Sequence, residues 1–345
     1  MSIRAHALCA VTTLVTLGAA AAHGQDLNGA GSSFAYPIYS TWATMYAKAT
    51  GVKVNYQSIG SSGGIRQLSD ETVDFGASDG PMTDAQMRAA KGGAILHIPT
   101  VLGAVAITYN LPSISSALKL SGDVLAEIYL GTITRWNDAR IGALNPGIAL
   151  PNQDIVVVHR SDGSGTTYIF TDFLSVVSPR WAAGPGRAQS IAWPVGLGGK
   201  GSEGVTGQVK QTPGAIGYVE LSYARQNALP VALIRNAAGR WVAPTIDGVT
   251  AAAAGTVAKL PPNTDFRISI VNAPGLTAYP ISSFTWVLLY RNPRDAAKGK
   301  ALVAFLRWAL RDGERQAARL DYAPLPPSMV KMLDVRLNEI NVAAR

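Results

Sequence analysis

Sulfur and imidazole are scarce in this chain, which has one cysteine, Cys9, and four histidines in 345 residues. A single thiol forms no intrachain disulfide, and Cys9 lies near the start of the apolar N-terminal run, where it serves no lipid attachment at the run's end. His97 and His159 are far apart, and neither has a carboxylate partner at metal-ligand spacing, so no metal centre and no cofactor are expected. Charge is also sparse. Asp, Glu, Lys and Arg make up 15% of the chain, and the cations occur singly, without the basic runs that mark a nucleic-acid binder. The net charge of +8 reads as a basic surface, or equally as an attraction for small anions. No repeat, heptad or low-complexity tract is present. Beyond the first two dozen residues, no stretch approaches the roughly 20 apolar residues that span a bilayer.

Those first residues have their own logic. Arg4 precedes an apolar run from Ala5 to Ala22, followed by small residues before Gln25 and Asp26. This is the pattern of a cleavable secretory leader over residues 1–24. What remains is long enough for two domains.

One unit occurs three times in the remainder: a short apolar strand, a loop of Gly, Ser and Thr, then an amphipathic helix. The first loop, Gly29-Ala30-Gly31-Ser32-Ser33-Phe34, leads to a helix with Pro37 in its first turn and Gly51 at its end. The second follows alternating Val52, Val54 and Tyr56, and is Gly60-Ser61-Ser62-Gly63-Gly64. The third follows Ile155–Val158 and runs His159-Arg160-Ser161-Asp162-Gly163-Ser164-Gly165-Thr166-Thr167. The alternation of strand and helix makes the chain α/β.

The opening N–H groups of a helix lack internal partners and sit at the positive end of the helix dipole, so they attract anions. Glycine lets backbone approach, and Ser and Thr add hydroxyl donors. The same residue types also serve as plain N-caps and turns, so each loop alone is consistent with either use. Arg160 can place a planar fork of donors on two oxygens, or it can form an ion pair with Asp162, and the two roles are compatible. Asp79, in Val73-Asp74-Phe75-Gly76-Ala77-Ser78-Asp79-Gly80-Pro81, caps a turn or does something more selective. A carboxylate only accepts hydrogen bonds, so it binds the P–OH of hydrogen phosphate and repels sulfate, which has no proton to give.

These segments resemble the periplasmic phosphate-binding proteins of the high-affinity phosphate ABC transporter. The likeness continues through Trp193-Pro194-Val195-Gly196-Leu197-Gly198-Gly199-Lys200-Gly201, Pro213–Glu220 and Leu320-Asp321-Tyr322-Ala323, covering essentially the whole chain after the leader. It implies a type II periplasmic-binding fold with two α/β lobes, two crossover hinge strands and a ligand cleft between the lobes. The crossings are expected near Val105–Thr108 and Phe284–Leu288. Lobe I would comprise residues 25–108 plus 283–345, and lobe II residues 109–282. The resemblance further implies phosphate contacts at Ser32, Ser33, Phe34 (through its N–H), Ser61, Asp79, Arg160, Ser164, Gly165 and Thr166, with Asp162 supporting the arginine. The implied role is non-enzymatic: a periplasmic monomer that delivers inorganic phosphate to membrane permease and ATPase subunits. Two departures from the family pattern stand out: Ser33 where Thr is common, and a short insertion at Lys91-Gly92-Gly93.

Three further readings complete the survey. A secreted phosphatase using Ser61 or Ser164 would need a base or metal to activate the hydroxyl, and no histidine lies within the Gly, Ser and Thr runs themselves, His159 standing only at the head of the third. Gly196–Ser202 lacks the spacing of a nucleotide phosphate loop and reads as a structural loop near the cleft mouth. Trp42, Trp136 and Trp193 read as packing residues.

Overall fold

Two apolar segments dominate the sheet. The computed structural model describes residues 26–261 and 263–342; the expected leader, with Cys9, lies outside them. In chain order the strands are β1 (Leu27–Gly31), β2 (Val54–Ser58), β3 (Phe75–Ser78), β4 (Ile95–Tyr109), β5 (Lys119–Leu120), β6 (Val156–Arg160), β7 (Leu197–Gly199), β8 (Ala215–Glu220), β9 (Leu233–Arg235), β10 (Trp241–Val242) and β11 (Ser282–Tyr290). Eight of them form one sheet in the order β2-β1-β3-β11-β4-β8-β6-β7, and β10-β9-β5 form a small second sheet.

Every residue of β4 and β11 is buried. Their near-continuous apolar sequences, without alternation, are what a strand covered on both faces requires. β4 is long enough to serve two neighbours. Its first part pairs antiparallel with β11, up to Ala104 opposite Ser282, and Val105–Tyr109 pair antiparallel with β8. On either side of this crossing the strands are parallel: β1 with β2 and β3, and β6 with β7 and β8. The result is two α/β lobes joined through β4 and β11.

The β4–β11 ladder has one irregularity. Thr285 pairs with Val101 and Trp286 with Pro99, so Thr100 is an extra residue in β4. Proline has no N–H to donate to a ladder, and a bulge is a common way to accommodate it.

Helices follow the parallel strands as the repeated units suggest. Tyr36–Thr50 follows β1, with Pro37 at its start and Gly51 closing it in the left-handed region. Ser61–Ser69 follows β2, Gly165–Val177 follows β6 and Gly201–Gln211 follows β7. All four helix N-termini therefore stand at the carboxyl ends of strands, the edge of an α/β sheet where ligands bind. Separate aromatic groups fill the lobes: Tyr39, Trp42, Tyr56 and Phe75 in one, and Tyr129, Phe170, Trp193 and Tyr218 in the other. Trp42 and Trp136 are buried in this packing.

Candidate anion-binding site

The loop after β1 brings Ser32, Ser33 and Phe34 to the start of the Tyr36–Thr50 helix. Their side chains are all buried. Ser32 Oγ lies 2.6 and 2.7 Å from the two carboxylate oxygens of Asp79 and accepts from the Ala35 N–H at 3.1 Å. Its single proton is thus committed to Asp79, which makes Ser32 a support for that carboxylate. Ser33 Oγ faces the other lobe, 3.1 Å from both the N–H and the hydroxyl of Ser202. The carbonyls of Ser33 and Phe34 accept from the hydroxyls of Tyr223 and Tyr322, at 2.8 and 2.5 Å, so the loop backbone is held from behind.

Gly60, at φ 83°, turns the chain into the Ser61–Ser69 helix in a conformation that favours glycine. A Cβ there would stand 2.3 Å from Asp162 Oδ2 in the opposite lobe, so glycine is required sterically as well. Ser61 Oγ accepts from the N–H groups of Asp79, at 3.3 Å, and of Gly165, at 3.0 Å. Ser62 N–H donates to Gly163 O at 3.0 Å, and Ser62 Oγ to Gln189 Oε1 at 2.7 Å. The first turns of helices from both lobes thus meet face to face.

Arg160 is the last residue of β6, not the residue after the strand as the sequence suggested. β6 runs two residues further because Arg160 pairs with Gly199 of β7 and its N–H donates to Tyr218 OH at 3.1 Å. Its guanidinium is buried and forks onto Asp162, with Nε 2.7 Å from Oδ1 and Nη2 2.5 Å from Oδ2, while Nη1 donates to Thr166 Oγ1 at 3.3 Å. Burial would raise the Asp162 pKa, but the hydrogen bonds and charge of Arg160 outweigh it and hold the carboxyl below its ordinary value. Ser164 caps its helix by accepting from Thr167 N–H at 3.1 Å, leaving Gly165 and Thr166 in the first turn.

Asp79 follows β3 and has no cation bonded to it. Oδ1 accepts from Ser32 and from Thr285 Oγ1 of β11; Oδ2 accepts from Ser32 and, at 3.4 Å, from Ser61. Oδ2 is turned toward the other lobe, since a Cβ on Gly165 would stand 2.5 Å from it. Burial pushes the Asp79 pKa up to about 6; the Ser32 and Thr285 hydroxyls and the charge of Arg160 restrain the rise. At neutral pH Asp79 is an acceptor-only carboxylate among neutral donors.

The structure therefore brings Ser32, Ser33, Phe34, Ser61, Asp79, Arg160, Asp162, Ser164, Gly165 and Thr166 around one interlobe space. It adds Ser202, Gln189 and Thr285, which the sequence reading did not include; Ser202 belongs to the loop that had been read as structural. Chemically this is a cage of helix-end N–H groups and hydroxyls, one guanidinium partly neutralised by Asp162, and one acceptor. Such a set suits a tetrahedral oxyanion carrying a proton. His159 stacks on Trp193 with ring centroids 4.8 Å apart, and Ser164 Oγ is engaged as a cap, so neither provides a nucleophile–base pair. Among the described residues no group of three His, Cys, Asp or Glu side chains is placed to hold a metal ion, and no helix is long and apolar enough to cross a membrane. A separate cavity of about 730 Å³ beside Asp74 and Lys298 has those charges paired with each other at 3.0 Å and offers no such convergence.

Comparison with known proteins bears on the family of the chain. Residues 18–312 match the PBP superfamily domain. The chain is 45% identical over 309 residues to the phosphate-binding protein PstS of Xylella fastidiosa, covering 89% of this chain and 84% of that one. It is 44% identical over 324 residues to PstS of Haemophilus influenzae, covering 94% and 95%. Among solved structures, PfluDING, a high affinity periplasmic phosphate-binding protein bound with phosphate, superposes with a TM-score of 0.72 at 20% identity, over 93% of this chain and 99% of that one. The chain belongs to the PBP superfamily and, within it, to the family of phosphate-binding proteins.

Proposed function

We propose that the protein binds inorganic phosphate between its lobes in the periplasm and delivers it to the permease and ATPase subunits of a membrane ABC transporter, without catalysing a reaction. The observation that carries this reading is Asp79, a buried acceptor facing helix N-termini and an arginine from the other lobe. Ser33, Ser61, Ser164 and Thr166 offer hydroxyls, Phe34, Gly165 and the other first-turn residues offer N–H groups, and Arg160 supplies charge while Asp162 orients it. Asp79 accepts the proton of hydrogen phosphate, and Ser32 holds Asp79. Because the donors come from both lobes, ligand favours the closed arrangement, which the transporter would read. The leader over residues 1–24 would direct export, and lobes of residues 25–108 plus 283–345 and 109–282 would act as the two jaws of a monomer. No metal or cofactor enters this mechanism.

Calorimetric titration of the purified protein with phosphate, arsenate, phosphite and sulfate tests the reading. Binding of phosphate with sulfate rejected is the expected result. Absence of any phosphate-dependent heat, tryptophan fluorescence change or rise in melting temperature would sink it.

A further inference from the structure

Asp79 sits one step beyond the β3–β11 ladder. Trp286 pairs with Ser78, so the next residues on each strand, Thr285 and Asp79, come to lie opposite one another. Thr285 is completely buried and its hydroxyl donates to Asp79 Oδ1. Thr285 belongs to none of the three Ser/Thr/Gly loops. It lies on the strand that joins the lobes, at the position where the Thr100 bulge breaks the register, and bulges re-aim side chains.

Buried hydroxyls fix its position. Thr100 Oγ1 has one proton, given to the Thr285 carbonyl at 3.2 Å, so it must accept from Tyr39 OH at 2.6 Å. Ser283 Oγ adds a contact of 3.4 Å to the Asp79 carbonyl. The line Tyr39, Thr100, Thr285, Asp79 has a defined donor direction at every step. Ser32 bridges both carboxylate oxygens and cannot by itself choose between them; Thr285 bonds only Oδ1, while Oδ2, with Ser61 at 3.4 Å as its one further donor, is the oxygen turned to the cleft.

We infer that Thr285 is a positioning residue that sets which oxyanions the cleft accepts, by anchoring Asp79 through Oδ1 and presenting Oδ2 as the acceptor for a ligand proton. This rests on the reading of the cleft as a phosphate site. The same hydrogen bond favours the charged form of Asp79, so its loss would let the carboxyl protonate at higher pH and turn a proton acceptor into a donor. An acceptor excludes sulfate; a donor admits it.

The test compares wild type, Thr285→Val and Thr285→Ser by calorimetric titration with phosphate and with sulfate, from about pH 5 to pH 8. Thr285→Val is expected to lower phosphate affinity roughly tenfold, the scale of one hydrogen bond to a charged group. It should also lower the phosphate-over-sulfate ratio and move the acid limb of that ratio to higher pH, and Thr285→Ser should restore all three. A Val variant with the wild-type ratio and acid limb, or one that loses both anions equally, overturns the inference. Should the Val variant fail to fold by its melting curve, Thr285→Ala is read by the same ratio. Wild type that binds no phosphate defeats the phosphate reading itself; wild type that binds phosphate beside an unaltered Val ratio defeats only the role of Thr285.

Discussion

Each lobe contributes one carboxylate to the cleft, Asp79 fully buried and Asp162 partly buried, and the two are treated in opposite ways. Asp162 is clasped by the guanidinium of Arg160 and held below its ordinary pKa. Asp79 is surrounded by hydroxyls and pushed up to about 6. The difference lies in the nearest donors and in burial, since Asp162 keeps some exposure and Asp79 almost none. A bidentate cation more than offsets the cost of burying a carboxylate, whereas neutral hydroxyls recover only part of it. One lobe uses its carboxylate to temper a positive charge, and the other keeps an acceptor at slight disadvantage, which in the proposed function a proton on the ligand would satisfy.

Removing the cation should have the largest effect. Arg160→Ala leaves the partly buried Asp162 without its partner and deletes the only guanidinium among the candidate contacts. We expect a loss of about 3 kcal/mol in stability and a fall of roughly a hundredfold or more in phosphate affinity, measured by chemical denaturation and calorimetry. An Arg160→Ala protein with wild-type affinity would show that the two carboxylates are not doing different jobs.

Next comes the contact surface between the halves. In the present geometry a methyl on Gly165 would stand 2.5 Å from both Asp79 Oδ2 and Ser61 Oγ. Gly165→Ala should therefore prevent full closure and weaken phosphate at least tenfold, since tightly packed sites give little room for an extra methyl. Small-angle scattering with saturating phosphate should show an expanded particle, and a compact one would refute the steric argument.

Asp79→Asn sharpens the comparison most directly, because affinity and stability should move in opposite directions. Phosphate binding should weaken and sulfate rejection relax. A raised native pKa means that this group's contribution is fully favourable below the unfolded value of 3.8 and is lost as pH rises through about 6. A gap of that size corresponds to about 3 kcal/mol, partly returned when the carboxylate's hydrogen bonds go. The ligand-free Asn variant should accordingly be more stable than wild type by about 1–3 kcal/mol near pH 8, with the advantage vanishing near pH 4. Urea denaturation at both pH values measures it, and an Asn variant that is weaker at alkaline pH would overturn the account.

Much of this cleft was legible in the sequence, because anion-binding helix ends are local. Gly60-Ser61-Ser62-Gly63-Gly64 and Ser161–Thr167 declare a tight turn, donors and a helix start within a few residues, and β4 declares its burial by apolar residues without alternation. The Arg160–Asp162 pair was readable for the same reason, being two residues apart. What escaped depends on pairings across long stretches of chain. Thr285 meets Asp79 across 206 positions, Ser202 meets Ser33 across 169, and Gln189 meets Ser62 across 127. Nothing local distinguishes Thr285 from any other β-branched residue in a strand, where such side chains are favoured for packing alone. The end of β6 was misjudged because its extension through Arg160 depends on pairing with a three-residue edge strand, Leu197–Gly199, too short and glycine-rich to be recognised as a strand.

The Pro99–Thr100 irregularity gives the cleft's chemistry a backbone origin. Pro99, which pairs with Trp286 but has no N–H to give the ladder, stands beside the extra residue Thr100, and the bulge there bears on the aim of Thr285. Exchanging Pro99 for a residue with an N–H to donate would remove the need for the bulge and let the strand return to regular register. Anion preference would then drift with every residue lining the cleft unchanged, so that its inheritance is partly written in strand geometry.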